Sequence, residues 1–199
     1  IILFKTILSK LYHWKIYVVG SVEYQYPNHL FQAGYFLDKK YYDENTIDFK
    51  HLLLSEKNQS LLKDIQNSNS VGVHIRRGDY MTKQNLVIFG NICTQKYYHD
   101  AIRIITEKVN DAVFYVFSDD ISWVQTHLDI PNAVYVNWNT GESSIYDMYL
   151  MSSCKYNIIA NSTFSYWAAR LNKKTNMVIY PSKWYNCLLY TSPSPRDRG

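Results

Sequence analysis

The chain has 199 residues, 47% hydrophobic and 19% charged, with a formal net charge of +4; that length holds one full domain, or one domain and a piece of another, and the composition excludes disorder, collagen and acidic tails. Seven Gly and five Pro argue against a loop-rich scaffold, and three Cys exclude a disulfide framework and offer no CxxC metal pair. No run nears the roughly 20 apolar residues that span a bilayer, and the charge suits an anionic ligand without forming the clustered basic stripe of a nucleic-acid binder.

Residue 1 is Ile, and Ile1 to Leu11 is too short for a signal peptide and lacks its small-residue cleavage site, so the N-terminus reads as a truncation. Residues 1–65 show no regular alternation. Tyr24, Tyr26, Phe31, Tyr35, Phe36, Tyr41 and Tyr42 crowd there, and the stretch reads as the tail of a preceding domain. From Ser70 onward short apolar runs alternate with helical periods. Strands are expected at Val71–Ile75, Ala112–Phe117, Ala133–Val136, Asn157–Ala160 and Met177–Tyr180. Helices are expected at Thr94–Val109, on the recurrence of Tyr97, Ala101, Ile104, Ile105 and Val109, around Ile145, Met148, Tyr149 and Ser152, and at Thr163–Leu171. Strands separated by helices of this size need crossovers, so the sheet is expected to be parallel and Rossmann-like, over residues 66–186. The last stretch, 187–199, resembles the translation of a sequencing-library transposase adapter and is set aside from fold reasoning. Cys93 and Cys154 then remain, and with no nearby His/Cys pattern they read as packing residues.

Three polar clusters fall at expected strand ends, where open α/β sheets bind ligands. They are His74-Ile75-Arg76-Arg77-Gly78-Asp79, then Ser118-Asp119-Asp120, then Asn161-Ser162-Thr163-Phe164-Ser165. Adjacent arginines repel unless an anion or acid lies between them, and arginine presents the planar fork that matches phosphate. If strand alternation persists, His74 and Arg76 share one face and Arg77 takes the other. The third cluster places hydroxyls and free N–H groups at a helix N-terminus, which suits an anion. The acids of the second cluster suit the N–H edge of a base such as guanine. Together the clusters describe a nucleotide-diphosphate cradle. Each has a plainer reading as well: Arg76 or Arg77 paired with Asp79, Asp119 and Asp120 as cap and first-turn acid of the following helix, and Asn161-Ser162-Thr163 as a helix cap. No GxxxxGK[ST] loop, no GxGxxG after a strand and no HExxH is present, which argues against an NTPase, an NAD enzyme and a zinc peptidase.

These residues carry a resemblance to the α-1,2-fucosyltransferase family, glycosyltransferase family 11. Its HxRRxD motif stands as Val73-His74-Ile75-Arg76-Arg77-Gly78-Asp79-Tyr80. A second block is Phe117-Ser118-Asp119-Asp120-Ile121-Ser122-Trp123, and a third runs from Asp147 to Cys154 and on through Ile158 to Trp167. Phe31-Gln32 and Tyr35-Phe36 resemble the family's upstream block. Tyr166 stands where the family usually has Trp, and Ala168 where Gly is common.

The resemblance implies the C-terminal half of a GT-B glycosyltransferase, with residues 1–65 as the tail of the acceptor-side domain and residues 66–186 holding GDP-fucose. It implies Arg76 on the pyrophosphate, His74 with Asp119 or Asp120 on guanine, and Ser162, Thr163 and Ser165 on phosphate or fucose, with Arg77 and Asn161 beside them. The implied reaction inverts the β-linked donor to an α-1,2-fucoside on a terminal galactose, with no cofactor and no metal. Asp79 is the nearest carboxylate for the acceptor proton, with a base from the N-terminal part as the alternative. The expected partners are GDP-fucose and a galactose-terminated glycan, with no nucleic acid. The expected location is the cytoplasm, peripherally on the inner membrane face, or a Golgi membrane for a eukaryotic chain. Rival readings are another nucleotide-sugar transferase of the same architecture and a non-catalytic carbohydrate-binding module.

Overall fold

A computed structural model of the chain describes residues 17–19, 31–33 and 48–186. The chain divides into two units, Ile1–Asp48 and Phe49–Gly199. The first contains strands β1 (Tyr17–Val19) and β2 (Phe31–Ala33), paired in parallel with Tyr17 opposite Phe31. The aromatic residues from Tyr24 to Tyr42, Phe31 excepted, and the stretch 187–199 lie outside the described residues.

The second unit is a parallel sheet of β3 (Asn69–Ile75), β4 (Ala112–Ser118), β5 (Ala133–Val136), β6 (Tyr156–Ile158) and β7 (Met177–Ile179), in the spatial order β5-β4-β3-β6-β7. The expected strands are all present, and the expected α/β, Rossmann-like class holds. The order grows outward in both directions from β3, so the switch point lies between the carboxyl ends of β3 and β6. The helices are α1 (Glu56–Asn67), α2 (Lys83–Phe89), α3 (Gln95–Lys108), α4 (Ile121–His127), α5 (Ser144–Ser152) and α6 (Thr163–Leu171), with short 3-10 turns at Gly78–Met81 and Gly141–Ser143.

Side chains alternate across the pleat and feed two cores. Val71, Val73 and Ile75 pack with Phe114, Val116 and Ile158 beneath α3 and α4. Tyr115, Phe117, Val136 and Ile159 face the opposite way, against Leu61 and Ile65 of α1, Leu150 and Met151 of α5, and Ala168 of α6. At Gly72 an added Cβ would stand 2.7 Å from Asn157 Oδ1 and 3.0 Å from Met151 Cγ, so glycine lets α5 approach the sheet. Helix α3 is capped by Thr94, whose hydroxyl accepts from Tyr97 N at 3.3 Å. Its buried stripe is Tyr98, Ala101, Ile102 and Ile105 rather than one centred on Tyr97 and Ile104. Tyr98 turns inward because its hydroxyl donates to the carbonyl of His74 at 3.1 Å.

The domain boundary differs from expectation. Residues 56–67 form α1, which packs on β3 and α5 within the second unit, so the break falls after Asp48 and not after residue 65. Only Asn58, Leu61 and Ile65 of this polar helix are buried, and Ser55 caps it by accepting from Asn58 N at 3.3 Å. Among the described residues no helix is long and apolar enough to cross a membrane.

Candidate active site

Register carries the site. Ile75 lies opposite Ser118, so the two chains leave the sheet side by side, with Arg76 and Arg77 next to Asp119 and Asp120. Arg76 opens its fork toward two acids: Nη2 meets Asp79 at 2.5 Å and Nη1 meets Asp119 at 2.8 Å. The other oxygen of Asp119 accepts from the backbone N–H of Arg77 at 2.9 Å. Arg77 turns its Nε to Asp120 at 3.1 Å and lays its guanidinium 3.7 Å above the Trp123 ring, whose other neighbour is His127, stacked at 4.5 Å. Asp120 is the N-cap of α4, accepting from Trp123 N at 3.1 Å. The Arg77 bond first, and the cap bond second, hold its carboxyl below the usual carboxylate range.

Of the two arginines that the sequence left open as partners for Asp79, it is Arg76 that pairs with it. The alternation argument fails because β3 ends at Ile75 and the chain turns at once into the 3-10 segment, which sets Asp79 one turn above Arg76. The turn is tight enough that a Cβ on Gly78 would collide with the Asp119 carboxylate.

His74, at the end of β3, is 5% exposed and lies 4.9 Å from the Phe164 ring of α6. Burial, and then the charge of Arg76, push its pKa down to about 3, so the imidazole is neutral. Its Nδ1 is buried without a hydrogen-bond partner.

The third cluster divides. Asn161 is buried and its amide donates to the carbonyls of Phe89 at 3.2 Å and Trp184 at 3.0 Å, tying α2 and the segment after β7 to the end of β6. Ser165 is buried and its hydroxyl donates to Ala160 O at 3.1 Å, so it shapes the loop rather than facing a ligand. Ser162 occupies the N-cap of α6 without using its side chain as a cap, and Thr163 opens the helix half-buried beside it. An open cleft of about 400 Å³ runs from the arginines past Tyr80 and Phe89 to Gln95 at the start of α3. Cys93 lines it, and burial lifts that thiol to about 11, in keeping with a packing role.

Sequence reasoning gave no role to Asp147. It sits in the first turn of α5, 9% exposed, and accepts from Asn139 Nδ2 at 2.7 Å. Asn139 is locked to Asn58 of α1, which also accepts from Trp138 Nε1 at 2.7 Å. Burial lifts the Asp147 carboxyl to about 7, against the opposing pull of the Asn139 bond. The available signal was an acid inside the otherwise apolar and aromatic run Ile145 to Met151. Among the described residues no group of three His, Cys, Asp or Glu is placed to hold a metal ion.

Comparison with known proteins gives the family. An Escherichia coli alpha-1,2-colitosyltransferase is 35% identical over 83% of this chain and 57% of its own length. An O-antigen biosynthesis glycosyltransferase of the same species, WbnK, is 44% identical over 60% of this chain and 40% of its own. The galactoside alpha-(1,2)-fucosyltransferase 2 of Pongo pygmaeus is 29% identical over 61% and 37%, respectively. The chain thus spans between about a third and three fifths of these relatives. The model of the family described as glycosyl transferase family 11 matches residues 4–192, and the chain belongs to that family.

Proposed function

We propose that this chain carries the donor-binding half of an inverting glycosyltransferase that moves L-fucose from GDP-fucose to the 2-hydroxyl of a terminal galactose in a glycan. The observation that carries the reading is the arginine pair at the switch point, Arg76 with its fork beside the cleft. Loss of GDP from the sugar develops charge on the β-phosphate while the sugar passes through an oxocarbenium-like state. A fixed guanidinium meets that charge where it appears. Ser162 and Thr163, at the N-terminus of the nine-residue helix α6, stand across the switch point as further donors. We assign the proton of the acceptor hydroxyl to Asp79, the most exposed of the three carboxylates around the arginines.

For guanine we assign Asp147, together with the neutral His74, in place of Asp119 and Asp120. Both oxygens of Asp119 are taken by Arg76 and Arg77, and both of Asp120 by Arg77 and the α4 cap. Asp147 has one oxygen on Asn139, which leaves the other for the N–H edge of the base. The same commitments support a reaction without a divalent metal, since the acids that would hold one already bind arginine.

The colitosyltransferase relative favours a second reading in which the transferred sugar is colitose, which lacks the 3-hydroxyl of fucose. We place the reaction in the cytoplasm, peripherally at the inner membrane face; the support is the two Escherichia coli relatives, one named for O-antigen biosynthesis. Titration of the 199-residue chain with GDP-fucose, GDP-colitose and UDP-galactose tests the donor. Tight binding of a GDP-sugar and weak binding of the UDP-sugar is expected, the GDP-sugar preferred deciding between the two readings. Preference for UDP-galactose would identify a different transferase, and no nucleotide binding would favour a carbohydrate-binding module.

A further inference from the structure

We propose that Asp79 occupies, in the ligand-free chain, the place on Arg76 that the terminal phosphate of a nucleoside diphosphate takes, so that binding the donor and releasing Asp79 are one exchange. This rests on the donor-site reading above.

The charge count around the arginines favours such an exchange. Two guanidiniums, Arg76 and Arg77, meet three carboxylates, Asp79, Asp119 and Asp120, a formal sum of −1. A diphosphate arriving at that network is repelled until one carboxylate withdraws. The three are not equally free to leave. Asp119 holds Arg76 with one oxygen and the Arg77 N–H with the other, and Gly78 closes over it. Asp120 holds Arg77 and caps α4. Asp79 has the more exposed side chain, 56% against 27% for Asp119 and 40% for Asp120, and its carboxylate meets Arg76 with one oxygen.

The backbone at Asp79 does not depend on that contact. Its carbonyl accepts from Thr82 N at 3.2 Å and from Asn85 Nδ2 at 2.9 Å, and Met81 N reaches Arg77 O at 3.1 Å. The side chain can therefore rotate off Arg76 while the turn stays in place. Asp119 keeps hold of Nη1 meanwhile, so the guanidinium presents Nη2 to the phosphate without losing its orientation. The exchange also leaves Asp79 without a partner only after the donor is bound, which makes a carboxylate available to an acceptor hydroxyl at that moment and not before.

GDP binding by the 199-residue chain tests this, in unmodified form and as Asp79→Asn and Asp79→Ser, with melting temperatures measured alongside. Removing a competing exposed ion pair should tighten GDP roughly two- to fivefold in both variants, while GMP, which lacks the second phosphate, should bind all three alike. GDP binding equal to or weaker than that of the unmodified chain in both variants, with or without a fall in melting temperature, would make Asp79 a clamp for Arg76 and overturn the exchange. Failure of the unmodified chain to bind GDP would instead overturn the donor-site reading.

Discussion

Replacing Asp147 by Asn offers a test with opposite consequences for stability and for binding. Burial raises this carboxyl from 3.8 to about 7. The shift of about three units, at about 1.4 kcal/mol each, is on the order of 4 kcal/mol. The folded state favours the protonated acid, so the contribution to stability is complete below about pH 4 and is lost as pH rises toward 7. The Asp147→Asn chain should lack this slope, matching the unmodified chain near pH 4 and exceeding its stability at pH 8 in urea unfolding. For GDP the order reverses. Guanine offers two N–H donors to an ionised carboxylate, whereas the amide keeps only its carbonyl as an acceptor. The unmodified chain should bind GDP about tenfold more tightly than Asp147→Asn at pH 8, and the advantage should vanish by about pH 5. Taking the ratio of the two chains removes the titration of the nucleotide itself. A ratio that stays constant with pH, or equal affinity at pH 8, would refute the guanine assignment.

Other perturbations separate structure from chemistry. Arg77→Ala should lower stability by roughly 1–2 kcal/mol in thermal unfolding, because it removes both the Trp123 stacking and the partner of the α4 cap. Gly78→Ala should weaken GDP binding and lower the melting temperature together, since its methyl displaces the Asp119 carboxylate that orients Arg76. In a longer form of the chain that supports sugar transfer, EDTA should leave the rate nearly unchanged; a loss restored by Mn²⁺ would contradict the arginine-only account of the leaving group.

Much of this fold is legible in the chain because its strands are apolar runs bounded by turns. Ala133–Val136 and Thr163–Leu171 fall where the periodicity places them. Helix α1 escapes because it buries few residues and one of them is Asn58. Helix α2 escapes because seven residues with no buried position leave no readable period. The three strand-end clusters are legible as a group, since a parallel sheet delivers every strand end to one edge. Their internal pairing is not. The expected strand does end at Ile75, but the 3-10 turn that follows has no period to read, and the contacts of Arg76 and Arg77 with Asp119 and Asp120 span more than 40 residues of sequence. The capping role of Asp120 is readable, as an acid just before a helix. The perturbed state of Asp147 is not, because it arises from burial, which only the folded chain produces.

Whether Nη2 of Arg76 holds the terminal phosphate of the donor is read out by comparing GDP with GMP on the unmodified chain and on Arg76→Lys. Lysine keeps the charge but, with a single nitrogen, cannot hold Asp119 and a phosphate oxygen in the two fixed directions that the guanidinium does. The unmodified chain should prefer GDP over GMP by roughly 10- to 100-fold, the worth of charge-assisted hydrogen bonds to one phosphate. Arg76→Lys should lose most of that preference while its GMP affinity stays the same. A variant that keeps the full preference for GDP would show that the terminal phosphate is held elsewhere and that Arg76 is a structural ion-pair residue.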